Sequence, residues 1–321
     1  MIMLRYAIAL AAVTLVACTT ANAVEKIPPE PIEWKVSKNF DGKDARMNLS
    51  GAACSTKAPP FKTCLIVNDE ENYAQFFSID IDNSTLMPGD KLVLREKAEG
   101  DPDSEGAAYD NGFFYITGSH GRARHSVTKS SVPSYVVFRS RLDDQTVEAS
   151  TRLHDVIHDS QYIAPFFNVL LDENGVNIEG IAVKGGRMYL GLRGPSTDSH
   201  AFILSVDAAA LFTKKDAVNA VVNKVKLGPT TGIRDMAAVE GGILLLSGPV
   251  NDQPVTPSVF FWDEKVDELT LLGELEIPDK LKQAKAEALL VLRDEPDKKF
   301  HVLIMFDGAE NGAPTEYHVP R

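Results

Sequence analysis

The chain has 321 residues, a hydrophobic content of 44% and a formal net charge of −12. This length fits one large β domain or two ordinary domains, and the apolar content is sufficient for a buried core. The negative charge argues against the basic face that nucleic-acid binding requires, and it is compatible with binding a cation or a basic partner.

The first 23 residues are predicted to be a secretory signal, because Arg5 precedes an apolar stretch over residues 6–17 that is too short to span a bilayer comfortably. Two cleavage sites fit the sequence. Cleavage after Ala23 follows an A-x-A pattern, whereas cleavage before Cys18 follows a pattern that resembles a bacterial lipoprotein box and leaves Cys18 lipidated. Either site predicts an exported protein, free in the periplasm or held at the outer membrane by the lipid alone.

Residues 24–45 form a predicted linker that contains three prolines and one short strand at residues 32–36. Cys54 and Cys64 follow, each on a predicted strand beside the loop at residues 55–63. Because export is predicted, we expect these cysteines to form a disulfide rather than to remain two free thiols, and the absence of a nearby histidine argues against a metal site.

From residue 46 to residue 321, groups of three or four short apolar runs recur five times. The groups begin at Gly51, Gly106, Gly180, Met236 and Ala288, so the intervals are 55, 74, 56 and 52 residues. Repeats of this length and strand content are typical of a β-propeller. The sequence therefore predicts a monomeric, all-β protein with one five-bladed propeller domain. Six blades is the alternative, if the long second interval or the N-terminal segment hides another.

The five groups depart from a regular repeat in two places. The long second interval is explained by an insertion at about residues 154–175, which lacks clean alternation and is predicted to be partly helical. The fifth group has only three strands before the chain ends, so we expect the strand at residues 32–36 to close the ring.

The clearest unit, at residues 177–195, consists of an apolar run, a Gly-Gly turn, an alternating run and a Gly-Pro stop. Because the two strands are antiparallel, Glu179 at the start of the first and Arg193 at the end of the second must share one edge. The same reasoning, applied to every unit, predicts a polar ring at one mouth of the central channel. Its members are Ser50, Glu105, Glu179, Asp235 and Glu287 at the inner-strand starts, and Asp69, Ser119, His120, Arg193, Ser247 and Asp307 at the second-strand ends.

The motifs SEGAAYDNGFFYITGSHG, DENGVNIEGIAVKGGRMYLGLRGP and IRDMAAVEGGILLLSGP resemble the bacterial domain-of-unknown-function family 3616, over about residue 50 to the C-terminus. The resemblance implies a propeller-like, often exported protein and no established activity. More distantly, Glu-Gly at the start of an inner strand is similar to calcium-dependent propeller lactonases and to phytase-like and esterase-like propellers.

Three interpretations of the polar ring remain open. In the first, its acids accept hydrogen bonds from neighbouring blades and Arg193 pairs with Glu179 or Asp235, so the ring is structural. In the second, it binds a small molecule or a protein. The residues expected to bind are Asp69, Glu105, Ser119, His120, Glu179, Arg193, Asp235, Glu287 and Asp307.

In the third interpretation the protein is a metal-dependent hydrolase of an ester, a lactone or a phosphate. Ca²⁺ would be held by Glu105, Glu179, Asp235 and Glu287. His120 would act as acid or base, and Arg193 would hold the anion. His125, His154 and His158 are interpreted as exposed polar residues. We predict the binding propeller as the function, with the hydrolase as the alternative.

Overall fold

The computed structural model describes residues 24–55, 61–122, 132–294 and 298–321. Five small sheets form a ring in which each inner strand packs against the inner strands of the two neighbouring sheets. The prediction of a five-bladed β-propeller is therefore confirmed. Within the described ranges, none of the helices is both long enough and apolar enough to cross a bilayer. The predicted signal, including Cys18, and also His125 lie outside those ranges.

Two short N-terminal strands precede the ring, β1 (Lys26–Ile27) and β2 (Lys35–Val36). The first blade contains β3 (Leu49–Cys54), β4 (Phe61–Asn68), β5 (Tyr73–Asp80) and β6 (Thr85–Val93). The second contains β7 (Ser104–Asp110), β8 (Phe113–Gly118), β9 (Val137–Arg141) and β10 (Val147–Ser150). In both blades the strand nearest the channel is the first of the four.

The insertion after β10 contains the helix α1 (Arg152–Asp159) and two 3-10 turns, Ala164–Phe166 and Leu171–Glu173. Leu153 and Ile157, one helical turn apart, are buried in the core between the second and third blades. His154 and His158 lie on the more exposed side of the helix, where their side chains are 37% and 70% exposed. The predicted partly helical insertion is thus confirmed.

The third blade contains β11 (Asn177–Lys184), β12 (Arg187–Gly194), β13 (His200–Asp207), the short helix α2 (Ala208–Leu211) and β14 (Val221–Lys226). The fourth contains β15 (Thr231–Val239), β16 (Gly242–Pro249), β17 (Ser258–Asp263) and β18 (Glu268–Leu275). The fifth contains only β19 (Lys285–Asp294), β20 (Phe300–Asp307) and β21 (Thr315–Val319). Apolar residues from adjacent blades interleave, so the core consists of layers between blades.

The inner strands approach one another closely at two glycines. A β-carbon at Gly106 would lie 2.5 Å from the carbonyl oxygen of Glu179 in the next blade. One at Gly51 would lie 2.7 Å from the carbonyl oxygen of Glu105. No real side chain tolerates such a contact with backbone, so only glycine lets the ring close this tightly.

The N-terminal strap, residues 25–37, crosses the outer edges of three blades and joins the end of the ring to its beginning. The strand β1 pairs in parallel with β18 of the fourth blade, and β2 pairs in parallel with β6 of the first. Between them Pro29 bridges to Tyr317, and the Glu30 amide donates to the Glu316 carbonyl at 2.9 Å on the fifth blade.

Closure by the N-terminus was therefore predicted correctly, but its details differ from the prediction. The segment 32–36 does not complete the fifth blade as a fourth strand, and its paired residues, Lys35–Val36, belong to the first blade. Proline has no N–H group and cannot donate to a strand ladder. The prolines at positions 28, 29 and 31 therefore restrict the contact with β21 to isolated hydrogen bonds.

Cys54 and Cys64 face each other directly across β3 and β4 and form a disulfide. The predicted pairing is present, and it ties the inner strand of the first blade to its neighbour.

Candidate functional site

Every inner strand contains a β-bulge at its start, where one extra residue is inserted into the pairing with the second strand. A bulge re-aims the side chain of the extra residue. The extra residues are Ser50, Glu105, Glu179, Arg234 and Glu287. Four of the five inner positions therefore agree with the sequence prediction, but the fourth blade contributes Arg234, where Asp235 was expected.

Asp235, one residue after the bulge, holds two blades together. Its carboxylate accepts the backbone N–H of Met236 at 2.7 Å and that of Leu289, in the fifth blade, also at 2.7 Å. Burial raises the pKa of Asp235, and the two N–H groups act in the opposite direction. The structural interpretation of the ring therefore describes Asp235 well.

Four of the converging side chains form what we call the throat network, Glu179, Arg193, Arg234 and Glu287. Arg193 Nη1 lies 2.7 Å from Glu179 Oε1, and Arg234 Nε lies 2.9 Å from Glu179 Oε2. Arg234 also pairs with Glu287 through Nη2. Two cations and two anions are thus interleaved, so the network is neutral within itself.

The two arginines of the network are buried, and their other contacts are to backbone. Arg234 is 1% exposed, and Arg193 donates from Nε to the Val250 carbonyl at 2.6 Å. Burial, followed by the charge of Arg193, lowers the pKa of Arg234 to about 10. For Arg193 burial is the largest single influence and acts in the same direction, but Glu179, Glu105 and Asp252 together outweigh it and the net pKa is raised. Both side chains therefore remain charged at neutral pH.

Four further carboxyl groups surround this network, and we call them the mouth acids, Asp69, Asp103, Glu105 and Asp307. Burial, then the charges of Asp103 and Asp307, raise the pKa of Asp69 to about 8. Burial, then Asp103 and Glu179, also raise the pKa of Glu105, and burial raises that of Asp307. Acids crowd here while the nearby arginines are already paired, so at neutral pH the Asp69 carboxyl retains its proton.

Asp103 was not predicted from the sequence, because it precedes the inner strand instead of starting it. Its backbone has a positive φ of 51°. Ser119, which was predicted, holds it from the adjacent strand end. The Ser119 hydroxyl donates to Asp103 Oδ2, and the Ser119 amide donates to the Asp103 carbonyl at 2.9 Å. The hairpin geometry that placed Ser119 at this mouth could also have indicated the acid beside it.

His120 faces away from these acids, towards the helical insertion. Its Nδ1 lies 3.0 Å from the Gly118 carbonyl, and its ring stacks on Tyr135 with centroids 6.1 Å apart. Burial lowers the pKa of His120 to about 4, and the only charged group that shifts it further is His154. The imidazole is therefore neutral at pH 7, and it is not electrostatically coupled to the mouth acids.

The expected calcium ligands, Glu105, Glu179, Asp235 and Glu287, do not converge on one point. Among the residues that the structure describes, a single group of three potential metal ligands has all its ligand atoms within 4.8 Å of one another. That group is His301, Glu316 and His318, on the outer edge of the fifth blade. At the channel mouth, Glu179 and Glu287 contact arginine guanidinium groups, and Asp235 accepts two backbone N–H groups.

The throat network separates two cavities. Below it, the channel contains a cavity of about 290 Å³ lined by small and aliphatic residues of all five inner strands, among them Ala52, Ala107, Ala182, Ala237 and Leu290. Above it, loops of the fourth and fifth blades enclose about 640 Å³, with Arg234, Asp252 and Lys285 in the wall. Charged groups line both cavities, with Glu240 and Asp294 in the wall of the lower one and both signs of charge in the wall of the upper one.

Residues 139–318 match the family described as "Protein of unknown function (DUF3616)". The chain belongs to this family. A search of curated protein sequences found no significant match.

Solved structures with a similar fold include two glycoside hydrolases. One is the exo-beta-1,3-galactanase of Phanerochaete chrysosporium with galactose, with a TM-score of 0.51 and 10% identity over 91% of this chain and 64% of that chain. The other is a family 117 glycoside hydrolase of Zobellia galactanivorans, with a TM-score of 0.51 and 9% identity over 92% of this chain and 90% of that chain. At this identity the likeness shows the propeller fold alone.

The throat network predicts that Arg234→Met is strongly destabilising. The substitution leaves Glu179 with Arg193 alone and removes the arginine that pairs with buried Glu287, so we expect urea unfolding to show a loss of about 3–5 kcal/mol. Lys97→Met is the control, because Lys97 pairs with Glu71 on the surface and is 80% exposed. It should cost less than about 1 kcal/mol. Equal losses for the two variants would contradict the network's importance.

The raised pKa of Asp69 predicts that stability falls as the pH rises. The folded state holds the Asp69 proton up to about pH 8, whereas the unfolded chain releases it near the usual value of 3.8. The contribution is thus complete below about pH 4 and is lost as the pH rises through about 8. Asp69→Asn should flatten the decrease in melting temperature between pH 5 and pH 9, and exposed Asp143→Asn should not. A decrease that is identical in all three proteins would contradict the assignment.

Proposed function

We propose that this protein is a binding propeller whose channel mouth takes a ligand that carries positive charge. The observation that carries the proposal is the excess of carboxyl groups around a throat network that is already neutral. Burial, followed by the charges of neighbouring acids, raises the pKa of Asp69 and of Glu105, and at Glu105 these effects outweigh the opposing charge of Arg193. A cationic group that enters the mouth would replace their protons and restore their charge.

The spacing of the acids favours an organic cation over a bare metal ion. A Ca²⁺ ion needs six to eight oxygens at about 2.3–2.6 Å, so its ligands must converge. The described mouth acids do not form such a group. An ammonium or guanidinium group, on a small molecule or on a basic side chain of a protein, reaches carboxylates that lie further apart. The net charge of −12 would raise the local concentration of such ligands.

Calorimetric titration of the mature chain at pH 7 tests this proposal with three probes, arginine amide, spermidine and calcium chloride. We expect an organic cation to bind with release of protons, which is measured by repeating the titration in buffers of different ionisation enthalpy. Asp69→Asn should weaken binding by about tenfold, equivalent to about 1.4 kcal/mol. Binding of calcium alone would favour the metal site expected from the sequence.

The control for this titration is Asp143→Asn, an exposed acid on the second blade. It should bind the organic cation as the unsubstituted protein does. If neither Asp69→Asn nor Glu105→Gln changes the affinity, the mouth acids are not the binding site and the proposal fails.

The second candidate function is hydrolysis, for which the protonated carboxyl of Asp69 would supply the general acid. The sequence favoured esters, lactones and phosphates as substrates. Two proteins that share the fold are glycoside hydrolases, so nitrophenyl glycosides belong in the same screen. Turnover that Asp69→Asn abolishes, with or without added Ca²⁺, would establish this function. Absence of turnover on all four substrate classes would leave the binding propeller.

A further inference from the structure

The outer edge of the fifth blade brings two histidines and a glutamate together, far from the channel mouth. His301 on β20 and His318 on β21 are directly opposite each other in the strand register. Glu316 precedes His318 by two residues, so it projects from the same face of the sheet. The two imidazole centroids are 3.8 Å apart. Neither the throat network nor the mouth acids involve these residues.

We propose that His301, Glu316 and His318 bind a transition-metal ion of the Zn²⁺ class. His318 Nε2 lies 3.0 Å from Glu316 Oε1, and His301 Nδ1 lies 3.5 Å from the same oxygen. All three ligand atoms are within 4.8 Å of one another. In a tetrahedral zinc site with bonds of about 2.0–2.1 Å, ligand atoms are about 3.3 Å apart. The three side chains are thus already near the spacing that the ion requires.

The N-terminal strap holds two of these ligands in orientation. Trp34 Nε1 donates to Glu316 Oε2 at 3.0 Å, which leaves Oε1 directed at the histidines. Glu30 Oε1 lies 3.0 Å from His318 Nδ1. A carboxylate on one ring nitrogen of a histidine fixes the proton there and leaves the lone pair on the other nitrogen, which is the usual support of a metal-binding histidine.

Glu30 and Glu316 each face one ring nitrogen of His318, so a single ring proton can satisfy only one of the two carboxylates. With its proton on Nδ1, His318 directs a lone pair at an oxygen of Glu316 that is 3.0 Å away. Two acceptors at this distance repel each other unless a second proton or a metal ion lies between them. Glu316 is only 6% exposed, so solvent offsets little of its charge.

The ligand types select the ion. Two imidazoles and one carboxylate suit Zn²⁺ and its transition-metal neighbours, whereas Ca²⁺ and Mg²⁺ prefer sites built from oxygen. The side chains of His301 and His318 are 24% and 25% exposed, so an ion can enter and a water molecule can complete the coordination. Because Glu30 and Trp34 belong to the strap, a bound ion would fasten the strap to the last blade.

Titration of the mature, chelator-treated chain with Zn²⁺, in competition with a chromophoric chelator, tests the proposal. We expect one Zn²⁺ per chain, and Co²⁺ should give the visible absorption of a four-coordinate site. His301→Gln should lower the Zn²⁺ affinity by more than about 100-fold. Glu30→Gln leaves all three ligands in place, and it should lower the affinity by about 10- to 100-fold because it removes only the supporting carboxylate.

His158→Gln is the matched control, because His158 and His154 form a second, more exposed histidine pair at helical spacing. It should bind Zn²⁺ as the unsubstituted chain does. The proposal is overturned if His301→Gln and Glu30→Gln both keep full affinity, or if His158→Gln loses it. Circular dichroism of each variant confirms that it is folded, and should His301→Gln unfold, the Glu30→Gln result decides.

Discussion

The inner ring of this propeller depends on the pairing of Arg234 with two glutamates. Glycines let the five inner strands approach to backbone contact, and bulges then direct one residue of each strand to the same region. Three of those five residues are glutamates. Two of them, Glu179 on the third blade and Glu287 on the fifth, pair with Arg234 on the fourth blade, which lies between them. Without Arg234, the close approach of the inner strands would bury the charges of Glu179 and Glu287 without enough positive charge beside them, and a buried carboxylate that loses its partner is strongly destabilising.

The charged groups form three zones with different properties. The throat network is neutral and buried, and its role follows from the packing of the ring. The mouth acids lie around it, and burial together with repulsion from neighbouring acids raises the pKa of Asp69, Glu105 and Asp307. The third zone, at the outer edge of the fifth blade, combines imidazole with carboxylate and lies where the strap crosses the blade.

Much of the fold could be predicted from the sequence, because each blade repeats a local pattern. The hairpin at residues 177–195 showed both its turn and its alternation, and counting such units predicted five blades. The same hairpin geometry predicted that Glu179 and Arg193 would meet, and their ion pair is present at 2.7 Å. These features depend on residues that are close in the chain, so periodicity and turn chemistry are sufficient to find them.

The features that were missed depend on contacts between distant segments. A bulge shifts the register by one residue, which is why Arg234 and not Asp235 occupies the ring position in the fourth blade. Asp103 lies outside a strand, and the pairing of His301 with His318 depends on the register of two separate strands. The path of the strap depends on which outer strands it pairs with. Those strands are far from it in the chain, so a local sequence pattern does not reveal the pairing.

The throat arginines pair with Glu179 and Glu287, and the buried Asp69 carboxyl beside Asp103 and Asp307 keeps its proton at neutral pH. Carbon-13 NMR of aspartate-labelled protein tests this protonation state, with the Asp69 carboxyl signal assigned by its absence in Asp69→Asn. We predict a titration midpoint near pH 8, and a lower midpoint when an organic cation is added. A midpoint near 4 in the free protein would show that the Asp69 carboxyl is charged at neutral pH, which would contradict a mouth that holds protons until a cation binds.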